Sequence, residues 1–180
     1  MLEILILGRG GQGAQTAGHL LAQAFFAEGH YVQTFATYGG ARRGTPVSSS
    51  IRVDADPIRL RCDIERADAI LCFDDSLLDE NLLQRADGET RILVNSRQSR
   101  ETFAAMGDYR ISPIDAIGVA RNNDMGKVVN SALLGAFVAV LDQLDIETMC
   151  QVVEASAPVK RNENVAASRE GYQLFQIDLE

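Results

Sequence analysis

Short, nearly all-apolar runs alternate with helical stripes in the first part of the chain. Residues 2–7 are almost wholly apolar and end at Gly8, which is typical of a strand buried on both faces of a parallel sheet. Over residues 17–25 apolar side chains recur every three or four positions, which predicts a helix with one buried stripe, and Gly29 is placed to end it. Residues 31–36 are β-branched or aromatic enough to predict a second strand. Strand, glycine turn, helix and strand indicate a βαβ unit with a right-handed parallel crossover.

The rest of the chain continues this alternation and then becomes helical. Further strands are predicted at 47–53, 69–73 and 91–95, with a weaker one at 109–112 and a short helical stretch at 76–85. From Ile114 onwards the pattern is helical, with a strong apolar stripe at 128–141 and helices at 145–156 and about 162–177. The predicted fold class is α/β: a doubly wound, mainly parallel, Rossmann-like sheet with helices on both faces and a helical C-terminal third. We expect residues 1–180 to form a single domain.

Composition and charge narrow the classes of function. The formal charge of −8 argues against non-specific nucleic-acid binding, which depends on neutralising phosphates. Apolar runs such as 69–73 are far shorter than the roughly 20 residues that span a bilayer, and the N-terminus lacks the pattern of a signal peptide. The three cysteines, Cys62, Cys72 and Cys150, form no CxxC pair and cannot by themselves ligate zinc or an iron–sulfur cluster. They suit a reducing compartment, so we expect a cytoplasmic protein without membrane or nucleic-acid partners.

A glycine-rich turn separates the first strand from the first helix. Gly8, Gly10 and Gly13 satisfy the pattern GxGxxG, with Gly11 and Gln12 inside it. Without Cβ atoms such a turn is tight, and its N–H groups can approach an anion at the positive end of the helix. The alternative is that these glycines serve only the turn.

The usual ligand of such a loop does not fit this sequence. A dinucleotide site needs an Asp or Glu at the end of the second strand, about 20 residues on, to bind the ribose. Residues 33–37 contain no acid, and none follows until Asp54. No GK[ST] follows the glycines either, so the loop is not a Walker loop. Phosphate binding remains the predicted chemistry, with a different ligand.

A second loop, residues 37–46, carries adjacent arginines. In doubly wound sheets this loop lies at the same carboxyl edge as the glycine turn, so Arg42 and Arg43 could grip phosphate or carboxylate oxygens. Solvated arginines or a salt bridge to a partner subunit are the competing interpretations. Tyr38 either stacks on a base or anchors the loop.

The remaining polar residues favour structural roles. His19 and His30 are the only histidines, and no acidic pattern accompanies them, so a metal site is not predicted. Asp74-Asp75 follows a strand and precedes a helix, where capping is the favoured role and ligand contact the alternative. Asn95 and Ser96 occupy a comparable loop after the next strand.

These motifs together resemble the gamma subunit of 2-oxoacid:ferredoxin (acceptor) oxidoreductases, over residues from about 3 to about 175. The blocks that carry the resemblance are Gly8-Arg-Gly-Gly-Gln-Gly13, Ala17-Gly18 with Leu20-Leu21-Ala22, Tyr38-Gly39 with Arg43-Gly44, Asn95-Ser96, and Asn130 with Leu134-Gly135-Ala136. One departure is Arg43-Gly44-Thr45, where the family usually has Arg-Gly-Gly, which leaves the backbone at Thr45 less free but retains the arginine.

The resemblance implies a role in a larger enzyme. Such enzymes use thiamine diphosphate to decarboxylate a 2-oxoacid oxidatively, with coenzyme A, to an acyl-CoA and carbon dioxide, and pass electrons through iron–sulfur clusters to ferredoxin or another acceptor. The chain lacks paired cysteines and the GDG…NN motif, so both cofactors are expected in alpha, beta and ferredoxin-like delta subunits. The gamma chain is expected to have no catalytic or metal-binding residue, to be inactive alone, and to contribute to assembly and to the coenzyme A site.

The resemblance also assigns candidate binding residues and leaves competing classes. Asn130 is expected to face the ligand cleft, and an isolated chain is expected to form homodimers. The candidate binding residues are Gly8, Gly10, Gly11, Gln12, Gly13, Tyr38, Arg43, Gly44 and Asn130. A stand-alone nucleotide-binding or regulatory module is the main alternative, and an NAD-dependent dehydrogenase is a third.

Overall fold

A six-stranded sheet lies between two layers of helices in the computed structural model, which describes residues 1–38 and 44–176. The strands are β1 (Leu2–Arg9), β2 (Tyr31–Tyr38), β3 (Pro46–Asp54), β4 (Ala69–Cys72), β5 (Arg91–Asn95) and β6 (Arg110–Ile114). The helices are α1 (Ala14–Ala27), α2 (Glu80–Leu83), α3 (Arg100–Ala104), α4 (Ala116–Asn122), α5 (Asn130–Leu141), α6 (Ile146–Ser156) and α7 (Arg161–Gln176). The predicted α/β class and the helical C-terminal third are confirmed.

The order of strands across the sheet is β2-β3-β1-β4-β5-β6. Neighbouring strands from β1 through β4 and β5 to β6 are parallel, whereas β3 is antiparallel to both β1 and β2. The predicted mainly parallel sheet is therefore confirmed. The first βαβ unit differs in one respect: β1 and β2 run in the same direction, but β3 lies between them. The connection from β2 to β3 is too short for a parallel crossover, so β3 returns beside β2 as the second strand of a hairpin.

Cross-strand pairing fixes the register of β3. Glu3 of β1 lies opposite Arg52 of β3, and the Arg52 Nε donates to the Glu3 carboxylate at 2.7 Å. The Arg52 side chain is almost fully buried, and it also donates to the Cys62 carbonyl at 2.8 Å. This bond attaches the segment after β3 to the sheet, because a buried guanidinium must have its donors satisfied.

Helices cover the two faces of the sheet unequally. On one face α1 and α5 pack on residues such as Ile4, Ile6 and Leu71, all fully buried, and α6 packs on these two helices. On the other face the shorter α2 and α3 cover a smaller cluster around Leu5 and Ile70. The expected helix at 76–85 is instead a 3-10 turn at Asp75–Leu77 followed by α2, because Asp74 caps the first and Asp79 caps the second.

The C-terminal third is organised around α5. Nearly every residue of this helix is buried, because the sheet lies on one side of it and α7 on the other. The two helices approach so closely that a Cβ on Gly135 would lie 1.8 Å from the Ser168 carbonyl oxygen. In the described parts of the chain, no helix has the length and apolar character needed to cross a bilayer.

Gly135→Ala should destabilise the chain strongly, because its Cβ would meet backbone that can move only if α5 and α7 separate. We expect a loss of about 3 kcal/mol or more in the free energy of unfolding, measured by urea denaturation of the purified chain. Gly88→Ala is the matched control, because its nearest neighbour would be 3.6 Å away and the change should stay within about 0.5 kcal/mol. Equal losses in the two variants would contradict this account of the packing.

Candidate anion-binding site

Four segments meet at the carboxyl edge of the parallel strands. They are the glycine loop between β1 and α1 (residues 10–13), the turn after β4, the loop after β5 and the start of α5. Ligands of open α/β sheets bind at this edge, because strand ends and helix N-termini converge there. The structure thus brings the predicted glycine loop and Asn130 together.

The glycine loop ends at Gly13, the N-cap of α1. Its φ of 95° lies in the left-handed region, and no side chain caps the helix there. A Cβ at this position would lie 2.3 Å from the Asn130 amide nitrogen, so only glycine allows this approach. The start of α1 therefore has no side-chain cap, and the Asn130 side chain packs directly on the backbone of Gly13.

Two of the predicted anion-binding N–H groups are used within the protein. The Gly10 N–H donates to the Thr45 carbonyl and the Gln12 N–H to the Arg9 carbonyl, both at 2.9 Å. The N–H groups of Gly11 and Gly13 have no acceptor among the described residues, and neither do those of the first three residues of α1. The open donors therefore belong to Gly11, Gly13 and the first turn of α1, where the helix dipole favours an anion.

The Gln12 side chain turns back onto its own loop. Its Oε1 accepts from the Arg9 N–H at 2.6 Å, and its Nε2 donates to the Asp74 carboxylate at 3.0 Å. Asp74 also accepts from the Arg9 Nε at 3.2 Å and from the Ser76 N–H at 3.1 Å. The predicted cap at Asp74 is therefore present, and the same carboxylate also anchors the glycine loop.

The charge of Asp74 is stabilised where it lies. Burial raises the pKa of this carboxyl, but hydrogen bonds from Ser76 and Gln12 and the charge of Arg9 outweigh burial and hold the pKa below its usual value. Asp74 is consequently ionised at neutral pH and forms an ion pair with Arg9. The Arg9 charge is thus directed at Asp74.

Asn130 carries an unsatisfied polar atom. Its Oδ1 is buried and has no hydrogen-bond partner among the described residues. A buried acceptor without a donor costs about 1–3 kcal/mol, so such atoms are rare and call for an explanation. Its place against Gly13, beside the open N–H groups, is where a ligand with a donor could satisfy it.

The second loop reaches the same edge at its far end. The Gly44 N–H donates to the Gly10 carbonyl at 3.1 Å, and the Arg9 Nη1 donates to the Gly44 carbonyl at 3.3 Å. Tyr38 ends β2, but its side chain lies outside the described part of the structure, as do Arg42 and Arg43. Their predicted contacts therefore stay predictions.

The other polar candidates have structural partners. Asn95 donates to the Phe73 carbonyl at 3.2 Å and accepts from the Ala116 N–H at 3.2 Å, while the Ser96 hydroxyl donates to Asp75 at 2.6 Å. These bonds hold neighbouring loops together at the edge of the sheet.

The histidines lie apart from this site, whereas the buried Cys72 thiol is beside it and donates to the Asp74 carbonyl at 3.1 Å. The exposed His19 contacts Gln23 of its own helix, and His30 packs edge-on against a phenylalanine ring. Burial raises the pKa of the Cys72 thiol to about 12. The described residues include no cluster of three or more metal-ligating side chains.

Sequence reasoning missed Arg9 and Ser76. Arg9 is a variable position of the glycine pattern, and its role depends on Asp74, which is 65 residues away in the chain. One signal could have found them: the segments that follow neighbouring parallel strands lie at the same edge of the sheet, so residues at the end of β1 and after β4 are expected to be close.

A cavity of about 620 Å³ lies at the opposite, amino edge of the sheet. Charged residues line it in pairs, such as Arg110 with Glu89 at 2.7 Å and Arg66 with Asp87 at 3.6 Å. These ion pairs offset part of the charge that lines the cavity.

Comparison with known proteins identifies the class. A family model described as pyruvate ferredoxin/flavodoxin oxidoreductase matches residues 3–174. The chain therefore belongs to the pyruvate ferredoxin/flavodoxin oxidoreductase family and is a subunit of an oxidoreductase.

Its relatives define the type of subunit. The pyruvate synthase subunit PorC of Methanothermobacter thermautotrophicus is 33% identical, over 98% of this chain and 97% of the relative. The common subunit gamma of the pyruvate/ketoisovalerate oxidoreductases of Pyrococcus furiosus is also 33% identical, over 98% of both chains. The resemblance to gamma subunits is confirmed.

One solved structure agrees with this assignment, and a second shares the fold. The pyruvate oxidoreductase subunit PORC of Thermotoga maritima superposes with a TM-score of 0.84 at 28% identity, covering 96% of this chain and 95% of that one. A 2-oxoglutarate:ferredoxin oxidoreductase from Magnetococcus marinus, with 2-oxoglutarate, coenzyme A and succinyl-CoA bound, shares the fold over 30% of its longer chain, with a TM-score of 0.76 and 20% identity.

Asp74→Asn should lower stability at neutral pH and much less in acid. The folded-state pKa lies below the unfolded value, near 3.9, so the stabilisation is complete above that value and is lost as the pH falls through the folded-state pKa. We expect a loss of about 1–2 kcal/mol at pH 7 that shrinks below about pH 4, measured by urea denaturation across pH. Asp63→Asn is the control, because Asp63 is exposed and its replacement should change the free energy of unfolding little at either pH. A loss of stability in Asp74→Asn that does not depend on pH would refute the ion-pair account.

Proposed function

We propose that this chain is the gamma subunit of a thiamine-diphosphate-dependent 2-oxoacid:ferredoxin oxidoreductase, and that it contributes to assembly and to the coenzyme A site. In this proposal residues 1–180 act as a single domain that is inactive alone. The observation that carries it is the open start of α1, where unpaired N–H groups of the glycine loop lie beside the buried, unpartnered Oδ1 of Asn130.

The chemistry of coenzyme A fits this pairing of donors and acceptor. Its phosphates present anionic oxygens, which suit the N–H groups of Gly11, Gly13 and the first turn of α1. Its pantetheine amides and adenine amino group offer N–H donors, which suit the Asn130 Oδ1. Arg43 adds charge in this proposal, because Gly44, the next residue in the chain, is hydrogen-bonded to Gly10.

The other cofactors of the proposed enzyme do not fit this chain. An iron–sulfur cluster needs four thiolates, whereas the sequence has three cysteines, and Cys72 and Cys150 are buried with raised pKa values. We assign the clusters and thiamine diphosphate to alpha, beta and ferredoxin-like delta subunits. Thiamine diphosphate would supply the decarboxylation chemistry there, while this chain orients the acyl acceptor.

The names of the relatives support the substrate class. They are subunits of pyruvate synthase and of pyruvate/ketoisovalerate oxidoreductases, so we propose a 2-oxoacid of this group, with ferredoxin or a similar acceptor receiving the electrons. The products are then an acyl-CoA and carbon dioxide.

The edge strand β2 supports a role in assembly. It has eight residues, none of them charged, and its Tyr31 and Phe35 side chains are 50% and 43% exposed. An exposed edge strand without charge offers unpaired backbone groups to another chain. We propose that it contacts the companion subunits, and that this surface forms homodimers when the chain is isolated.

Arg43→Ala in the assembled complex should raise the KM for coenzyme A about tenfold, because a charge-assisted contact to phosphate is lost. The assay is coenzyme-A-dependent reduction of viologen with pyruvate, with thiamine occupancy measured in parallel and expected to be unchanged. Arg59→Ala serves as the control, because Arg59 is exposed and follows β3 at the opposite edge of the sheet. An unchanged KM for Arg43→Ala in a correctly assembled complex would exclude this contact.

The alternative is a stand-alone nucleotide-binding or regulatory module that uses the same loop. Affinity purification from the native host separates the two, because a gamma subunit should bring down larger chains that carry thiamine diphosphate, iron and acid-labile sulfide. A chain recovered alone would favour the module. Saturable binding of NADH in an equilibrium titration would instead favour the dehydrogenase.

A further inference from the structure

The Arg9 side chain connects three loops at the carboxyl edge. Its Nε donates to Asp74 at 3.2 Å, its Nη2 to the Ser76 hydroxyl at 2.6 Å, and its Nη1 to the Gly44 carbonyl at 3.3 Å. Asp74 and Ser76 belong to the turn after β4, and Gly44 belongs to the second loop. The planar guanidinium can make all three bonds at once, which a lysine ammonium on its flexible stem cannot do with the same geometry.

Backbone bonds join the second loop to the glycine loop at the same place. The Gly44 N–H donates to the Gly10 carbonyl at 3.1 Å, and the Gly10 N–H donates to the Thr45 carbonyl at 2.9 Å. Together with the bond from Arg9, the end of the second loop is fixed at three points. This end directly follows Arg43 in the sequence.

The glycine loop itself is held from the other side by Asp74. The Gln12 side chain connects the Arg9 N–H to the Asp74 carboxylate, so the direction of the loop's backbone depends on that carboxylate. The Arg9 side chain is 35% exposed and that of Asp74 is 22% exposed, so water screens this pair only in part. Removing either partner would leave the other charge partly buried and unpaired.

We infer that Arg9 and Asp74 are a pair of positioning residues, which hold the open N–H groups of the glycine loop and the end of the second loop in the arrangement that binds the coenzyme A phosphates. This inference rests on the proposed function. Arg9 acts through the two loops and does not contact the ligand, because its donors are directed at Asp74, Ser76 and Gly44.

The test is a double-mutant cycle in the assembled complex, with Arg9→Ala, Asp74→Asn and both together. Each single variant should weaken coenzyme A binding about tenfold, because small displacements of preorganised donors are costly. The double variant should be no weaker than the more affected single variant, because both act through one contact. The readouts are calorimetric titration of coenzyme A without 2-oxoacid, and the KM for coenzyme A with kcat expected to stay within about twofold.

A conservative variant and a matched control distinguish positioning from folding. Arg9→Lys keeps the charge and should restore part of the affinity. Arg110→Ala removes an arginine–carboxylate pair of 2.7 Å at the amino edge and should leave coenzyme A binding unchanged. Gel filtration with the companion subunits verifies assembly of each variant, and if Arg9→Ala does not assemble, Arg9→Lys and Asp74→Asn decide.

The outcomes separate this inference from the proposed function. Unchanged binding in the Arg9 and Asp74 variants, or effects that multiply in the double variant, would overturn the inference while Arg43→Ala still weakens binding. If the wild-type complex does not bind coenzyme A, or if Arg43→Ala also has no effect, the proposed site itself fails.

Discussion

The ion pair between Arg9 and Asp74 holds the carboxyl edge of this sheet together. Arg9 is the last residue of β1 and Asp74 lies in the turn after β4, the adjacent parallel strand, and each also bonds to groups that the other does not reach. A loop rich in glycine has high conformational entropy, so it presents N–H groups in a fixed direction only when other contacts restrain it. Here the restraint comes from side chains at the base of the loop, which leaves its outer face open.

The C-terminal helices supply the other wall of the site. Asn130 begins α5, and the position of α5 is fixed by contact with α7 through glycines that allow backbone to meet backbone. Tight packing of this kind has low compressibility and therefore holds a helix end in place. The buried Oδ1 of Asn130 therefore stays close to Gly13 without a hydrogen-bond partner. In a more loosely packed helix the side chain could rotate and find one.

The fold was largely predictable because its signals are local. The apolar run of β1, the stripe of α1 and the stripe of α5 each lie in one short segment, and hydrophobic periodicity reports such segments well. The place of β3 was not predictable in the same way, since its direction depends on pairing with two other strands. Its run of three serines followed by Ile51, Arg52 and Val53 fits an antiparallel strand as well as a parallel one.

In the site, too, the features with local signals were predictable and those that depend on distant residues were not. The glycine pattern located the start of α1, and family resemblance pointed to Asn130, whose contact with Gly13 spans more than a hundred residues of chain. Which N–H groups are open depends on partners from distant segments, such as Thr45 for the Gly10 N–H. The role of Gln12 in bracing the loop likewise became visible only once Asp74 was placed beside it.

The insertion of β3 between β1 and β2 also limits how this scaffold could change its ligand. In nicotinamide-binding folds the carboxylate that holds the ribose stands at the end of the strand next to β1. Here the strand next to β1 is β3, which is antiparallel and begins at the carboxyl edge instead of ending there. The end of β2 is two strand spacings from β1, about 10 Å. Placing a single acid at the tip of β2 would therefore not convert the protein to a dinucleotide carrier, since the obstacle is the order of the strands.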